Sequence, residues 1–399
     1  MAKNDKSVTM PRLRFPEFQH LPGWEKQPLS ALLNYERPDE YFVSDTAYQQ
    51  SGTPVLTANK SFILGYTNES DGIYEDLPAV IFDDFTTDKK YVNFPFKVKS
   101  SAIKILTTKG DDSLKLIFEL MGGLNFKPKE HKRYYISEYQ ALEIALPKEA
   151  EQHKVIACLM SLDEVIAAQG RKVEALKAHK RGLMQQLFPR DGETVPRLRF
   201  SEFREGPEWA ESALGSLAAV KNGYAFKSST YATQGFRIVT IANVQAGQLA
   251  LGVTKRIAEL PTDLQNHQRL SVGDILISMT GNVGRVCLVN YPNLLLNQRV
   301  GKLIPYDVNQ EFFYHALQRD EFRKTMQLKA AGGAQGNLSA PDIAGYVVAW
   351  PRNDKEQHRV ADCLSSIDRQ IAAESEKLHV MRNHKKGLMQ QLFPPPEGT

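Results

Sequence analysis

Two stretches of the chain carry an apolar residue at every third or fourth position. The first runs from Val155 to Leu187 and the second from Val360 to Leu392. Such a ladder, kept up over about four heptads, is typical of a helix that buries a narrow seam against another helix. We therefore predict two long helices. Their predicted seam residues are Val155, Leu159, Leu162, Ile166, Val173, Leu176, Leu183, Leu187, Val360, Leu364, Ile367, Ile371, Leu378, Met381, Leu388 and Leu392.

Polar residues interrupt both ladders at equivalent rungs, Gln169 and Lys180 in the first and Glu374 and Lys385 in the second. At 1.5 Å per residue, either helix is about 50 Å long, and it cannot bury its seam alone. We predict that the two helices pair with each other as an antiparallel coiled coil. The alternative is that each helix docks on the domain that precedes it, but seam-only patterning favours a helix pair.

The segments before the two helices, called head 1 and head 2, mix strand and helix patterns. Each head contains a helix that is followed by a Gly-Gly pair, which suggests a shared α+β fold. The predicted strands are 79–85, 96–108 and 142–146 in head 1, and 236–244, 274–280, 284–289 and 346–350 in head 2. The predicted helices are 114–121 and 311–331.

Exact repeats tie the two halves together. Pro-Arg-Leu-Arg-Phe occurs at 11–15 and 196–200, and Gly-Leu-Met-Gln-Gln-Leu-Phe-Pro occurs at 182–189 and 387–394. Glu-Gln-His opens both long helices, whereas the parts of the heads between these repeats show little similarity. The sequence therefore predicts a pseudo-twofold internal repeat with two different heads on equivalent mounts. The predicted domains are a flexible tail 1–10, head 1 at 11–148, helix 149–189, head 2 at 190–352, helix 353–394 and a tail 395–399.

Polar loops with glycine interrupt the strands of both heads. Asn and Gln pair with adenine edges, Arg and Lys pair with guanine edges, and Ser, Thr and Lys also hold phosphates. The same residue types also make ordinary solvated turns, which remains the alternative for each one. The candidate DNA-binding residues are Thr57, Asn59, Lys60, Thr86, Thr87, Lys89, Lys90, Lys221, Asn222, Tyr224, Thr280, Asn282, Arg285, Asn297, Gln298, Arg299, Gln335 and Asn337.

Composition narrows the function classes only a little. The net charge of +4 permits nucleic-acid binding without requiring it, and no apolar run is long enough to span a membrane. Three cysteines with no metal-ligand spacing predict neither a disulfide nor a metal site, and they fit a reducing cytoplasm. We expect Cys158 and Cys363, at equivalent rungs, to be small buried packing residues.

Signatures of catalysis are missing from the sequence. The run Gly281 to Arg285 lacks the Gly-Lys-Ser/Thr ending of a phosphate-binding loop. Asn290-Tyr-Pro-Asn293 lacks the paired prolines of an adenine methylase motif. We therefore expect this chain to have no catalytic residues of its own.

With these features, the sequence resembles the specificity subunit of type I restriction-modification systems over essentially its whole length. The resemblance rests on the Pro-Arg-Leu-Arg-Phe-x-Glu-Phe segments, the Glu-Gln-His openings, the run Leu-Ile-Ser-Met-Thr-Gly-Asn-Val-Gly-Arg at 276–285 and the shared helix endings. The runs 53–58 and 81–87 also look like one common class of first head.

The resemblance implies a non-catalytic DNA-recognition subunit. Each head would be a target-recognition domain for one half of an asymmetric, bipartite site in double-stranded DNA, and the helices would set the spacing of the half-sites. The helices would also dock two methylation subunits, which bind S-adenosylmethionine, and restriction subunits that use ATP and Mg²⁺ could join. The rival interpretations are a coiled-coil protein-interaction scaffold without DNA binding and, more remotely, an enzyme with a degenerate motif.

Overall fold

The structure, a computed structural model, describes residues 8–59, 61–332 and 336–395. The described chain divides into two units. Unit 1 runs to Gly170 and resumes at Lys377, and unit 2 is Arg171–Glu376. Each unit therefore contains one head and about half of each long helix.

The strands of unit 1 are β1 (Val8–Thr9), β2 (Trp24–Pro28), β3 (Leu33–Glu36), β4 (Thr53–Leu56), β5 (Ile63–Thr67), β6 (Ala79–Asp83), β7 (Lys89–Val92), β8 (Lys97–Val98), β9 (Ile103–Thr108) and β10 (Glu143–Leu146). The helices that begin in this unit are α1 (Leu29–Leu32), α2 (Leu114–Gly122) and α3 (Glu149–Leu187). The strand orders are β1-β2-β10, β3-β9-β6-β7 and β5-β4-β8, and β4 and β8 are parallel.

The core of head 1 lies on both faces of β6. Val80 and Phe82 pack with α2 and with the start of α3, whereas Ala79 and Ile81 pack in a second apolar cluster. Because successive strand residues point to opposite faces, a strand that is buried on both sides is apolar without alternation. This explains the continuous apolar run that predicted the strand.

The strands of unit 2 are β11 (Ala210–Ala213), β12 (Ala218–Asn222), β13 (Tyr231–Ala232), β14 (Phe236–Val239), β15 (Val244–Gln245), β16 (Gln248–Leu249), β17 (Lys255–Ile257), β18 (Arg269–Leu270), β19 (Ile275–Ser278), β20 (Val286–Leu288), β21 (Leu294–Leu296), β22 (Val300–Pro305) and β23 (Val347–Trp350). The helices that begin in it are α4 (Leu214–Leu217), α5 (Gln310–Leu317), α6 (Asp320–Ala331), α7 (Ala340–Ala344) and α8 (Asp354–Leu392). The strand orders are β11-β23, β12-β22-β19-β20, β13-β17-β14-β21-β18 and β15-β16.

The two heads share the way in which they begin and end. In head 1, β2 leads through α1 into β3 and pairs with β10, the strand before α3. In head 2, β11 leads through α4 into β12 and pairs with β23, the strand before α8. Between these ends the sheets differ, so the similarity is strongest where the heads join the long helices.

A buried cluster in unit 1, which we call clamp 1, explains the first set of repeated motifs. Arg14 donates through Nε and Nη2 to the Glu151 carboxylate at 2.7 and 2.6 Å, and Trp24 Nε1 donates to the same group at 3.1 Å. The neighbouring Gln152 accepts from the backbone N of Ser113, the N-cap residue of α2, and donates to the carbonyl of Pro147. Clamp 1 therefore fixes the Pro-Arg-Leu-Arg-Phe segment, the head helix and the start of α3 to one another.

Unit 2 contains the same arrangement, clamp 2. Arg199 forms a bidentate pair with Glu356 at 2.7 and 2.8 Å, and Trp209 Nε1 donates to Glu356 at 3.0 Å. Gln357 accepts from the backbone N of Asn309, the N-cap residue of α5, and donates to the carbonyl of Pro351. The Glu and Gln near the start of each long helix therefore make equivalent hydrogen bonds in the two units.

Within each unit, the segments of α3 and α8 run antiparallel. In unit 2, Lys172 pairs with Glu374, and Lys180 pairs with Asp368 at 2.6 Å, so the partner number falls as the first number rises. In unit 1, Lys385 pairs with Asp163 at 2.6 Å, and Leu392 belongs to the same core as Val155. The backbone N of Leu13 also donates to the carbonyl of Gln391.

Several predicted elements are wrong in detail. The predicted helix 311–331 is two helices, because Arg319 is extended (φ −61°, ψ 145°) and Asp320 and Glu321 begin a new helix. The predicted strand 96–108 is β8 and β9, which lie in different sheets. The predicted strand 236–244 ends at Val239, where the Asn243 side chain accepts from the backbone N of Thr240.

Two smaller expectations also change. Val8 and Thr9, which we assigned to the flexible tail, pair with β2. Cys158 and Cys363 are half-buried rather than buried, whereas Cys287 is buried, and burial raises the pKa of its thiol to about 12. All three thiols are free. Across the described residues, no helix is both long and apolar enough to cross a membrane.

Candidate nucleic-acid interface

The candidate residues of head 1 that precede β7 lie on two loops that touch. Loop A comprises residues 57–61 and loop B comprises residues 85–88; Lys60 lies outside the described residues. The Thr86 hydroxyl donates to Asn59 Oδ1 at 3.3 Å, and both residues are exposed. Thr57 Oγ1 accepts from the backbone N of Asn59 at 3.4 Å. The structure therefore brings two segments together that are almost thirty residues apart in the sequence.

Loop B is shaped by the last residue of β6. One oxygen of the Asp83 carboxylate accepts from the backbone N of Phe85 and of Thr86, at 2.9 and 2.8 Å. Thr87 has a φ of 60°, in the left-handed region that a β-branched residue adopts only when its surroundings enforce it. Thr87 is itself buried, so Thr86 and Asp88 form the exposed part of the loop.

The two candidate lysines that follow loop B differ in environment. Lys89 Nζ lies 5.7 Å from the ring centroid of the buried Tyr139, and burial lowers the pKa of Lys89. Lys90, the next residue of β7, is half-buried. A lysine directed over a buried ring is a poorer phosphate ligand than an exposed one, and Lys89 is the weaker candidate for DNA contact.

A basic segment that the sequence analysis passed over lies next to loop B. We call residues 125–133 (Asn-Phe-Lys-Pro-Lys-Glu-His-Lys-Arg) the basic loop. The ring of His131 stacks on Phe85 with centroids 4.7 Å apart and an interplanar angle of 13°, and the Arg133 guanidinium lies 5.9 Å from the same ring. The sequence signal was present as a run of cations, but its position beside loop B depends on contacts that are distant in sequence.

In head 2, two candidate segments lie side by side. Tyr224 forms an isolated parallel bridge with Asn297, and the backbone N of Gln298 donates to the carbonyl of Tyr224 at 2.9 Å. A Cβ at Gly223 would lie 2.3 Å from the carbonyl oxygen of Asn297, so this close approach requires glycine. The Tyr224 hydroxyl donates to Asp263 at 2.7 Å. Lys221 and Asn222, at the end of β12, are exposed.

A third candidate segment joins the same region through the backbone of Met279. Its N donates to the carbonyl of Arg299 at 3.2 Å, and its carbonyl accepts from the backbone N of Leu338 at 2.8 Å. Thr280 and Asn337 are therefore brought close to Arg299; Gln335 lies outside the described residues. The Thr280 hydroxyl oxygen is buried and has no hydrogen-bond partner within the described residues.

The other polar residues of this segment differ in how firmly they are held. Arg285 Nη1 donates to Gln245 Oε1 at 2.5 Å, which occupies part of its guanidinium. Asn282 is exposed, and its backbone carbonyl accepts from the Ser278 hydroxyl at 2.6 Å. The loop is therefore anchored through its backbone, while the Asn282 amide faces solvent.

Head 2 also contains a cation pair that sequence reasoning missed. Arg237 on β14 and Arg256 on β17 are directly opposite each other in an antiparallel pair. Like charges in this arrangement are unfavourable by a few tenths of a kcal/mol up to ~1 kcal/mol. The pairing depends on strand register, which the sequence did not reveal.

The predicted seam residues are all buried or half-buried in the structure. The polar rung Lys180 is buried and also donates to Gln318 Oε1 at 2.7 Å, beside its ion pair with Asp368. Burial lowers the pKa of Lys180, and Asp368 opposes that shift. Close by, burial and the Lys180 charge lower the pKa of His315 to about 3, so this ring is neutral at physiological pH. Within the described chain, no three His, Cys, Asp or Glu side chains are grouped to hold a metal ion.

Comparisons with known proteins agree with the sequence resemblance. Residues 207–381 match the family described as "Type I restriction modification DNA specificity domain". The chain is 29% identical over 360 residues to the specificity subunit of the EcoR124I/EcoR124II type I restriction enzyme of Escherichia coli, covering 86% of each protein. It is 25% identical over 268 residues to the MjaVIII specificity subunit of Methanocaldococcus jannaschii, covering 64% of this chain and 62% of that one.

A solved structure supports the fold. The crystal structure of a type I restriction-modification system S subunit from M. genitalium matches 98% of this chain and 100% of its own, with a TM-score of 0.59 and 16% sequence identity. At this identity the match concerns the mixed α/β fold alone.

Proposed function

We propose that this chain is a specificity subunit of a type I restriction-modification system, and that its two heads read the two halves of an asymmetric, bipartite DNA site. The observation that carries the proposal is the pair of clamps. Two heads are attached to the long helices through equivalent buried networks, yet they present different polar loops. A protein built in this way is suited to hold two different recognition surfaces in equivalent settings.

Within this proposal, each head contacts DNA through the loops described above. Head 1 would use loops A and B, and head 2 would use the segments around Asn222, Asn282 and Arg299. Their amide, hydroxyl and guanidinium groups are the types that pair with base edges in the major groove. We retain the domain boundaries 11–148 and 190–352 for the two recognition domains.

The long helices have two proposed roles. Paired along the predicted seam as an antiparallel coiled coil, they would set the spacing between the half-sites, and they would dock two methylation subunits. In this scheme S-adenosylmethionine belongs to the methylation subunits, ATP and Mg²⁺ belong to the restriction subunits, and this chain supplies recognition without catalysis. The assembly would act on DNA in the cytoplasm.

The test is to map methylated adenine in genomic DNA from cells that express this chain with its methylation subunit. The proposal expects a split, asymmetric motif with a methylated adenine in each half. Replacing residues 196–350 with the second head of a relative should then change one half of the motif and leave the other half intact. The reciprocal exchange of residues 11–148 is the matched control, and it should change only the opposite half.

The result distinguishes this function from the scaffold alternative. A methylation subunit that is active with another specificity subunit but produces no motif with this chain would favour a scaffold without DNA binding. A motif whose two halves both change after exchange of one head would contradict the assignment of one half-site to each head.

A further inference from the structure

The basic loop of head 1 has unbalanced positive charge. The segment contains one carboxylate, Glu130, and four cationic side chains, Lys127, Lys129, Lys132 and Arg133. Lys132 is neutralised by Glu138 at 2.6 Å. Lys127, Lys129 and Arg133 are exposed, and none of them has a carboxylate partner within the described chain. Three cations are therefore available to an anionic ligand.

The loop is held in place rather than loose. Backbone N atoms of Lys129 and Glu130 donate to the Tyr134 hydroxyl oxygen at 2.9 and 2.7 Å, and Tyr134 is buried. The next residue, Tyr135, donates through its backbone N to Asp84 Oδ1 at 2.7 Å. Because much of the ordering is done before any ligand arrives, binding loses less conformational entropy.

Consecutive carboxylates connect the basic loop to loop B. Asp83 fixes the backbone of loop B, and Asp84 fixes the end of the basic loop. The His131–Phe85 stack bridges the two segments directly. The Arg133 guanidinium, 5.9 Å from the Phe85 ring, makes a second contact, so the basic loop lies beside loop B on head 1.

The electrostatic environment at this surface favours an anion. Burial lowers the pKa of Lys104, and the positive charges of Arg133 and Arg37 lower it further, although Asp84 at 3.7 Å opposes them. The positive charges of Arg133 and Arg37 thus repel that of Lys104, and Asp84 offsets this repulsion. An added phosphate would relieve that repulsion.

We propose that the basic loop holds the phosphate backbone of the duplex beside the bases that loops A and B contact. The inference rests on the proposed function and assigns phosphate binding and base reading in head 1 to different residues. Lys127, Lys129 and Arg133 would position head 1 without reading sequence, because phosphates are the same at every base pair. The nearby amide and hydroxyl groups would supply the discrimination.

The experiment uses the full chain assembled with its methylation subunits. Binding to a duplex that carries the mapped site and to a scrambled duplex is measured by fluorescence anisotropy across a range of salt concentrations. For K127A/K129A/R133A we expect weaker binding to both duplexes by a similar factor. We also expect the slope of log affinity against log salt to fall by about 2–3, since each lost phosphate contact removes ~0.9 from it.

A charge-neutral control combines Lys132 of the basic loop with its ion-pair partner Glu138. The double variant K132A/E138A removes one positive and one negative charge that already pair with each other. It should therefore keep the salt slope of the unmodified chain. A wild-type slope in the triple variant would overturn the inference while leaving the proposed function intact, and so would a loss confined to the cognate duplex. If the unmodified assembly shows no salt-dependent duplex binding, the proposed function fails, and the inference fails with it.

Discussion

Head 1 and head 2 differ most where they are exposed and least where they meet the long helices. In head 1, the candidate residues lie on two touching loops and on β7, beside a basic segment with free cations. In head 2, they come from separate segments held together through backbone bonds at Met279 and Tyr224, and Arg285 is tied to Gln245. Beneath these surfaces, clamp 1 and clamp 2 have the same bonds.

The contrast has a physical reason. A buried Arg–Glu pair cannot lose one partner without leaving an uncompensated charge, so the residues of the clamps are tightly constrained by folding. An exposed Asn, Thr or Lys is solvated in both the folded and the unfolded state, so its replacement changes the free energy of unfolding little. One mount can therefore present many different recognition surfaces, and the following predictions test how far this equivalence extends.

The largest effect is expected in the clamps. E151Q and E356Q each remove the charge that compensates a buried guanidinium, and each should destabilise its own unit by about 3–5 kcal/mol. Urea unfolding followed by hydrogen exchange would assign the loss to unit 1 or unit 2. The control E17Q removes the exposed Glu17–Lys154 pair and should leave the urea midpoint unchanged. A large loss for one clamp variant and none for the other would show that the clamps are not equivalent.

A smaller effect is expected at the lysine rungs of the seam. D368N leaves the buried Lys180 without a counter-charge and should cost about 1–3 kcal/mol. D163N should cost less, because its partner Lys385 is less buried than Lys180. Equal losses of stability in D368N and D163N would show that the difference in burial between Lys180 and Lys385 does not set the strength of the two ion pairs.

D368N should also change the pH dependence of stability. Burial already lowers the pKa of Lys180 below 10.5, and loss of Asp368 lowers it further. The folded state then releases this proton at a lower pH than the unfolded state does. Stability should therefore rise with pH up to the ordinary lysine pKa, more steeply than in the unmodified protein. Thermal unfolding across alkaline pH measures this, and parallel pH profiles would contradict it.

The most selective effect is expected at the exposed loops. N282A and T86A should leave stability unchanged. N282A should relax base preference only in the half of the motif that head 2 reads, and T86A only in the half that head 1 reads. A base contact contributes about 1–3 kcal/mol of discrimination, which corresponds to roughly fivefold to 150-fold in relative methylation. Methylation of a library of single-base variants of the site would measure this. A uniform loss at all bases would instead assign the residue to phosphate.

Periodicity along the chain predicted the two long helices closely. The ladders gave helices whose bounds match the structure closely, because a 3.5-residue repeat extends over many turns. The break at Arg319 went unnoticed because the apolar residues on either side could belong to one helix. The basic loop and the Arg237–Arg256 pair were missed because their positions depend on strand register and on contacts between distant residues.

The sequence by itself determined that this protein is written twice, with two different heads, two seam-forming helices and matching motifs at each junction. Repeats and periodicity are local properties, so they can be read along the chain. Only the tertiary structure decided what the motifs do: Arg14 and Arg199 close buried clamps, and loop B lies against the basic loop. Those assignments depend on which distant side chains become neighbours when water is excluded from the core, and no linear pattern encodes that.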